Sequence, residues 1–280
     1  MKTRGAKKRG QRRPTRERAG GQVQSLTRGL MLLERLAEAQ DGMLLTDLAQ
    51  QVGLAVSTAH RLLGTLEKQG FIYQDAERAR WYVGLKAFAV GNAFVTGRNV
   101  VVQARPFLRR LMEQAGETTN LAILSDGEAV ILAQEECREM MRMLVPLGSR
   151  APIHASGVGK ALLAALPDVE VTEILHRHGL PRLTANTIDT PDKLRAAIAE
   201  VHTLGYAYDN EEHTIGMRCV AATIHDEYTQ PLAAISVSGP RSRMSDERIP
   251  ALGQLVVQIA AELTHALGGR LPRWHAHRAA

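Results

Sequence analysis

The hydrophobic positions near the start of the chain recur with the period of an α-helix. In SLTRGLMLLERLAEA, residues 25–39, apolar side chains return every three or four positions, at Leu26, Leu30, Leu33 and Leu36. This spacing predicts an amphipathic helix, and Ser25 is a suitable residue to cap its start. Because Asp41 and Gly42 are typical of a turn, we expect the helix to end before them.

The next segment predicts two short helices and a hairpin. In TDLAQQVGLAVSTAHRLLGTLEKQGF, residues 46–71, Thr46 can cap the first helix, Gly53 separates the two helices, and Ser57 can cap the second. Gly70 suits the left-handed position at which such a helix ends. The β-type runs FIYQ and RWYVG follow, joined by the polar turn DAERA. Three helices followed by a two-stranded wing predict a winged helix-turn-helix.

The pattern changes period in the second half of the chain. The apolar segment LKAFAVGNAFVT, residues 85–96, predicts a connecting helix, and a further helix is expected over about residues 101–115. TTNLAILSDGEAVILAQEE then contains two β-type runs around an Asp126-Gly127 turn, and MRMLVPLG, residues 141–148, predicts a third strand.

Later segments alternate helices with strands. We predict helices near 156–166, 169–178 and 191–204. RCVAATIHDEYTQPLAAISVSG predicts two strands that turn at Tyr228 to Pro231, and a long closing helix, residues 245–267, can be capped by Ser245. Hairpin strands surrounded by helices predict an α+β fold class. The expected organisation is a basic tail (1–20), a winged helix-turn-helix (21–84), a linker helix (85–98), a sheet domain (99–269) and a C-terminal tail (270–280).

The positive charge of the chain is concentrated at its start. The formal net charge is +6, yet residues 1–21 hold nine Lys and Arg against one Glu, so the remainder carries a net charge of −2. A Gly- and Arg-rich segment buries little apolar area and is attracted to polyanions. We therefore expect a disordered tail, which either is simply solvated or contacts nucleic acid.

The composition excludes several classes of protein. Hydrophobic residues make up 45% of the chain and charged residues 23%, and no apolar run approaches the ~18 residues of a membrane span. The opening MKTRGAKKRG lacks the apolar core of a secretory signal. Cys137 and Cys219, the two cysteines, exclude a four-cysteine zinc site and fit a reducing compartment. We expect a cytoplasmic protein with no membrane partner.

The third predicted helix has one apolar stripe and one stripe rich in hydrogen-bond donors. Between residues 57 and 65 the outward stripe contains no acidic side chain, which favours a DNA groove over ordinary solvent. The side chains expected to contact double-stranded DNA, from this helix and the wing, are Ser57, Thr58, His60, Arg61, Thr65, Lys68, Arg78 and Arg80. The alternative is an ordinary polar face on a protein-binding winged helix.

Two motifs in the second half suggest chemistry that their spacing does not support. HASGVGKAL resembles a phosphate loop around Lys160, but the required earlier glycine and the following Ser or Thr are missing. A Gly-containing helix start near Ser156 remains, which is either an anion cradle or a plain helix start. DNEEHTIGMRC places acidic residues beside His213 and Cys219, but not with the spacing of a zinc helix. We expect no cofactor and no metal, with zinc as the minor alternative.

A strand near the end of the chain offers two hydroxyl groups. In AAISVSG, alternation places Ser236 and Ser238 on one face and Ile235 and Val237 on the other. Two hydroxyls inside an apolar sheet domain are what a buried polar ligand requires.

Several separated motifs together resemble the IclR family of bacterial transcription regulators. They occur in the family's order over about residues 21–269, as GQVQSLTRGLMLLERLAE, LTDLAQQVGLAVSTAHRLLGTLEKQGF, HASGVGKALLA, DNEEHTIGMRCVAA and AAISVSGP. The resemblance implies a winged helix-turn-helix, a linker helix and a C-terminal GAF-like effector domain, with dimers pairing into tetramers on the operator. It also implies that the protein is a repressor of the glyoxylate-bypass (acetate) genes and not an enzyme. The repressor would respond to a small oxoacid such as glyoxylate or pyruvate.

The resemblance also implies which residues bind the effector. In this family a Gly-containing turn, an Asp, a Cys and a serine pair hold the carboxylate and carbonyl oxygens; the matching positions here are Gly157, Val158, Asp209, Cys219, Ser236 and Ser238. The matching apolar lining is Met140, Met143, Ala151 and Met217. Val158 stands where the family pattern has alanine and Ala151 where it has leucine. The extra room at Ala151 predicts an acid somewhat larger than glyoxylate.

Some alternatives stay open at this point. Asp209 would repel an anionic effector unless it is protonated or accepts a hydrogen bond from the ligand. A second function is a regulator of aromatic-acid catabolism from the same family. A third is an enzyme that acts on small oxoacids with Cys219 as the nucleophile and a histidine as its base.

Overall fold

The structure, a computed structural model, describes residues 23–39, 41–97 and 99–272. The predicted basic tail, residues 1–20, lies outside the described residues, as do residues 273–280 of the predicted C-terminal tail. The chain forms two compact units, and the division between them falls between residues 93 and 94.

The first unit is a small helical domain with a three-stranded sheet. Its elements are α1 (Gln24–Glu38), β1 (Met43–Leu44), α2 (Leu45–Gln51), α3 (Val56–Lys68), β2 (Ile72–Asp75), β3 (Arg80–Val83) and α4 (Leu85–Gly97), within which the division falls. β3 lies between β1 and β2, and both pairings are antiparallel. The helices pack on this sheet through a core of Leu32, Leu36, Leu48, Ala49, Ala59, Leu63, Ile72 and Trp81. The predicted winged helix-turn-helix is therefore confirmed.

The predicted helix caps in this unit are wrong by two residues. Helices α1, α2 and α3 begin after apolar residues whose side chains make no capping hydrogen bond, namely Val23, Leu44 and Ala55. Ser25, Thr46 and Ser57 therefore lie inside the first turn, where the backbone is already helical and the side chain is no longer at the capping position. The starts of these three helices are therefore not set by a side-chain cap.

The second unit contains a six-stranded antiparallel sheet with helices on both faces. Its elements are α5 (Asn99–Ala115), β4 (Thr118–Ser125), β5 (Glu128–Glu135), β6 (Arg150–Pro152), α6 (Gly157–Ala164), α7 (Asp168–His178), α8 (Pro191–Leu204), β7 (Ala207–Asn210), β8 (Met217–His225), β9 (Pro231–Pro240) and α9 (Ile249–Ala266). The strand order is β6-β5-β4-β9-β8-β7. This confirms the α+β class with a GAF-like second domain. Among the described helices, none is both long and apolar enough to cross a membrane.

Alternation along the central strands divides the core between the two faces of the sheet. Val220, Ile235 and Val237 point toward α5 and α9, in the larger core. Small residues point the other way, toward α6 and α8, and include Ala122, Ala207, Ala221 and Ala234. Because these alanines occupy little volume, α6 lies close to the sheet, and the polar residues on the same face are brought near its N-terminus.

Two predicted elements in this unit are wrong. Residues 141–148 form no strand: Gly148 has a φ of 86°, Pro146 lacks an N–H, and Leu144 and Leu147 are exposed. Strand β6 begins only at Arg150. The closing helix α9 begins at Ile249 rather than at 245, because residues 245–248 form a turn in which Arg248 N–H donates to the Ser245 carbonyl. The Asp126-Gly127 turn is confirmed, with φ values of 52° and 75°.

Candidate functional sites

Helix α3 presents its donor-rich stripe to solvent. Ala59 and Leu63 are fully buried on its inner side. Of the predicted DNA contacts on this helix, Thr58 is half-buried and the others are exposed: Ser57, His60, Arg61, Thr65 and Lys68. Thr65 Oγ1 donates to the Arg61 carbonyl, at 3.0 Å, so this hydroxyl is oriented along the helix. The exposed face has the donors and the charge expected of a groove-binding helix.

The two wing arginines have different surroundings. Arg78 is exposed in the turn between β2 and β3, where its backbone N–H donates to Asp75 Oδ1 at 3.2 Å. Arg80 is half-buried, and its Nη1 donates to the carbonyl oxygens of Gly42, at 2.8 Å, and Asp41, at 3.3 Å. The guanidinium of Arg80 therefore joins the wing to the turn before β1, a structural role that the sequence pattern did not indicate.

A cavity of about 90 Å³ lies between the second unit's sheet and the start of α6. Eight of the ten predicted effector residues line it: Gly157, Val158, Asp209, Cys219, Ser236, Ser238, Met143 and Ala151. The other two do not. Met140 is 98% exposed on the segment between β5 and β6, and Met217 lies at the outer end of β8, opposite Pro240. The lining residues that the sequence analysis did not assign to this site are Asn120, Ile131, Val145, Ser149, Arg150, Ser156 and His213.

Strand register explains why the polar lining residues meet. Cys219 on β8 lies directly opposite Asp209 on β7 and Ser238 on β9. In the next row, Ser236 lies opposite Asn120 on β4. Residues that are directly opposite in antiparallel strands point to the same face, with Cβ atoms about 5 Å apart. Two adjacent rows across four strands therefore form the polar floor of the cavity.

Asn120 organises the serine hydroxyls. Its Nδ2 lies 3.4 Å from both Ser236 Oγ and Ser238 Oγ and donates to them, while its Oδ1 accepts from Gln134 Nε2 at 2.7 Å. Because each serine oxygen accepts from Asn120, its own proton can point toward the Cys219 sulfur or a ligand. The signal for Asn120 in the sequence was a single amide within the apolar run TTNLAILS, but only strand pairing places it beside the serines.

Helix α6 directs its N-terminus at the cavity. Ser156 caps the helix, accepting from Gly159 N–H at 3.2 Å and donating to the Pro152 carbonyl at 2.9 Å. The first N–H groups of a helix have no partner within it, and together they carry partial positive charge. Those of Gly157 and Val158 belong to residues that line the cavity. This arrangement suits a carboxylate.

Asp209 is almost fully buried and holds the turn after β7. Its Oδ1 accepts from Glu212 N–H at 2.8 Å. Burial raises the pKa of this carboxyl to about 7, against the opposing effect of the nearby Lys160 ammonium. Lys160 itself donates to the Tyr208 carbonyl and forms a buried ion pair with Glu212. Near neutral pH, Asp209 is therefore protonated in a large fraction of molecules, which reduces its repulsion of an anionic ligand.

The surroundings of Cys219 oppose a thiolate nucleophile. Burial raises the pKa of the thiol to about 11, with the Asp209 charge acting in the same direction. His213 lines the cavity and its pKa is lowered by burial, whereas His154 Nε2 lies 3.1 Å from the Pro181 carbonyl. Catalytic thiolates instead occur where the pKa is depressed by neighbouring positive charge. Among the described residues, no group of three or more His, Cys, Asp or Glu side chains is arranged to hold a metal ion.

A winged helix-turn-helix with an exposed donor-rich helix, joined in one chain to a sheet domain that encloses a small cavity with a polar floor, is typical of DNA-binding transcription regulators. The helix-turn-helix domain of IclR matches residues 25–76, and the bacterial transcriptional regulator IclR C-terminal domain matches residues 92–265. The chain belongs to the IclR family of bacterial transcription regulators.

Two similar proteins and one solved structure agree with this assignment. The transcriptional repressor IclR of Escherichia coli (strain K12) is 50% identical over 253 residues, which cover 90% of this chain and 92% of that protein. The acetate operon repressor of Salmonella typhimurium is 50% identical over 251 residues, covering 89% and 92%. The crystal structure of Thermotoga maritima IclR superposes with a TM-score of 0.74 at 28% identity and covers 88% of this chain and 100% of the other.

Proposed function

We propose that the chain is a transcriptional repressor that binds a double-stranded DNA operator through α3 and Arg78. Its operator binding changes when a small oxoacid, glyoxylate or pyruvate, occupies the cavity. Two proteins that are 50% identical to it are named as repressors, one of them of the acetate operon. We therefore propose acetate-utilisation genes, including those of the glyoxylate bypass, as targets, and the cytoplasm as the place of action.

The arrangement of donors in the cavity is the observation that carries the effector proposal. One end offers the N-terminal N–H groups of α6, and the floor offers the hydroxyls of Ser236 and Ser238. A carboxylate accepts from the first set and an adjacent carbonyl oxygen from the second, so all the oxygens of a small oxoacid would be satisfied in a water-poor site. The wall formed by Ile131, Val145 and Ala151 is apolar and suits a methyl group.

The size of the cavity favours a small acid over an aromatic one. Its volume of about 90 Å³ is well below the ~300–1,000 Å³ typical of drug-sized ligands. The raised pKa of Cys219 disfavours the enzyme alternative, because turnover through a covalent intermediate requires the sulfur to be expelled in every cycle, and a thiol of high pKa leaves slowly.

The proposal includes assembly of the chain into dimers, and of dimers into tetramers on the operator. Apolar side chains on α1 and α4 support self-association: Leu26 is 63%, Leu85 81% and Phe88 69% exposed. Large apolar side chains exposed along a helix commonly mark interfaces. Sedimentation velocity with and without operator duplex tests the assembly, and a single monomeric species at micromolar concentration would contradict it.

Two titrations test the function as a whole. Fluorescence anisotropy at fixed salt compares the protein's own promoter with a random duplex of equal length, because affinities at different salt are not comparable. Equal affinity for the two duplexes would rule out an operator-specific regulator. The same assay with glyoxylate or pyruvate added tests the effector, and unchanged operator affinity at millimolar concentrations would exclude both acids. A reporter gene behind the promoter separates repression from activation.

A further inference from the structure

The Cys219 thiol is placed at the centre of the cavity's polar groups rather than at its edge. It lies between Asp209 and Ser238 in one row of the sheet, and a Cβ atom built on Gly157 would be 2.8 Å from its sulfur. The thiol donates to the Val220 carbonyl at 3.8 Å, and the side-chain hydroxyls of Ser238 and Ser236 act to lower its pKa against the effect of burial. Any ligand carbonyl that accepts from these hydroxyls and whose carboxylate reaches the α6 N-terminus must lie against Sγ.

A protonated thiol beside a bound carbonyl has one reaction available that needs no further reactant. We propose that Cys219 captures the oxoacid effector covalently and reversibly, as a thiohemiacetal of an aldehyde acid or a thiohemiketal of a keto acid. This inference rests on the proposed function, because it concerns the same cavity and the same effector. Under this inference the protein recognises the effector through its carbonyl carbon as well as through its oxygen atoms.

The addition balances without any oxidant or leaving group. The Sγ–C bond forms as the C=O π bond breaks, and the π electrons move onto the carbonyl oxygen. The thiol proton is transferred, by way of the Asp209 carboxyl opposite Cys219, so that the oxygen becomes a hydroxyl. The resulting hydroxyl can donate to or accept from Ser236 and Ser238, and the ligand carboxylate stays at the α6 N-terminus.

The chemistry of the thiol favours retention of the adduct rather than turnover. A thiol of high pKa is a poor leaving group, so its adduct breaks down slowly, and the burial of Cys219 raises its pKa to about 11. The adduct of an oxoacid carries no group that a second step could expel to yield product. The site would therefore act as a sensor that distinguishes an oxoacid from a hydroxyacid of the same size, since the hydroxyacid has no ketone or aldehyde carbon to which the thiol can add.

Carbon-13 NMR of the full-length protein with pyruvate labelled at its carbonyl carbon tests the proposal directly. In the saturated complex we expect the ketone signal to be replaced by one in the range of a tetrahedral carbon bonded to sulfur. We expect Cys137→Ser, which changes the other cysteine, to give the same signal, because Cys137 does not line the cavity. We expect Cys219→Ala and Cys219→Ser to bind pyruvate with the ketone signal retained.

Calorimetry with pyruvate and lactate supplies a second readout. In Cys219→Ser the dissociation constant of pyruvate is expected to rise relative to that of lactate by about tenfold or more, because only pyruvate loses a covalent bond to the protein. Pyruvate bound at saturation to the unaltered protein with its ketone signal unchanged would overturn covalent capture while leaving the proposed function intact. Absence of binding by both pyruvate and glyoxylate would overturn this inference together with the effector part of the proposed function.

Discussion

Gly157 and Cys219 approach each other so closely that a Cβ atom at position 157 would lie 2.8 Å from the Cys219 sulfur and 3.3 Å from its carbonyl oxygen. A contact of 2.8 Å is essentially never made by a Cβ atom, so any side chain there would displace the thiol or the start of α6. The glycine thus allows the positive end of a helix and a thiol to occupy the same small space.

Replacement of Gly157 by alanine is expected to weaken pyruvate binding by about tenfold or more, because the added methyl group crowds Cys219 within the cavity. Operator affinity without effector should be unchanged. Isothermal titration calorimetry measures the first and anisotropy the second. Gly29→Ala in α1 is the matched control, since a Cβ atom there meets nothing within 4 Å. Equal losses of pyruvate affinity in the two variants would contradict the prediction.

Effector affinity is expected to decrease as pH rises. Burial raises the pKa of Asp209 to about 7, so the carboxyl is neutral below that pH and repels an anionic ligand above it. The dissociation constant for pyruvate should be nearly flat below about pH 6 and rise by up to about tenfold per pH unit above about pH 7.

Two asparagine variants check the origin of this pH dependence. Asp209→Asn keeps an acceptor for Glu212 N–H without a charge, and should lose most of the dependence. Asp192→Asn, which changes a carboxylate that is 96% exposed, should keep it. Calorimetry at several pH values, with one ionic strength throughout, is the measurement. If Asp209→Asn keeps the pH dependence of the unaltered protein, a group other than Asp209 causes that dependence.

Enlarging Ala151 is expected to change the preferred acid. Leucine at this position narrows the apolar wall, so Ala151→Leu should weaken pyruvate binding by about 1–3 kcal/mol more than glyoxylate binding. Ala196→Leu adds the same volume at an exposed position of α8 and should leave the preference unchanged. Competition titrations of the two acids measure the ratio, and a parallel loss of both would show that Ala151 does not set ligand size.

Alanine variants of Arg61 and Arg80 are expected to differ, the first weakening operator binding and the second lowering the stability of the first unit. Arg61→Ala removes an exposed donor of α3 and should cost about 1–3 kcal/mol of operator binding with an unchanged melting temperature. Arg80→Ala removes hydrogen bonds to the Gly42 and Asp41 carbonyls and should destabilise the first unit by about 1 kcal/mol. Anisotropy and thermal melting together check both, and the reverse pattern would contradict the assignment.

Deletion of residues 2–20 removes nine basic side chains. It is expected to weaken binding to the promoter and to a random duplex by the same factor, and to reduce the slope of log affinity against log salt concentration, because fewer counterions are released. Anisotropy at several salt concentrations measures the slope. If the slope and the affinities are unchanged, the tail does not contact DNA.

Local periodicity was sufficient for much of the fold, whereas the family resemblance supplied most of the candidate site residues. The three-residue and four-residue spacing in α3 determined which side that helix buries, since a helix has a fixed number of residues per turn. The stripe predicted for α1 is wrong at Leu26 and Leu30, which are 63% and 49% exposed, because the face that packs on the core carries Gly29, Leu32 and Leu36. Strict alternation separated Ser236 and Ser238 from Ile235 and Val237, and the Asp126-Gly127 pair determined a hairpin turn. The resemblance of HASGVGKALLA and DNEEHTIGMRCVAA to family motifs then identified Gly157, Asp209 and Cys219 as candidates.

Only the tertiary structure decided which of those residues meet and what each does there. The register of β7 with β8 places Cys219 beside Asp209, and the pairing of β4 with β9 brings Asn120 to Ser236, 116 residues away in the chain. Met140 is 98% exposed although Met143 of the same segment lines the cavity, and Arg80 donates to a backbone carbonyl 38 residues earlier. The raised pKa of Asp209 results from its burial, which no local sequence pattern specifies. Long-range pairing and burial leave no periodic trace in a sequence, whereas helix faces and strand alternation do.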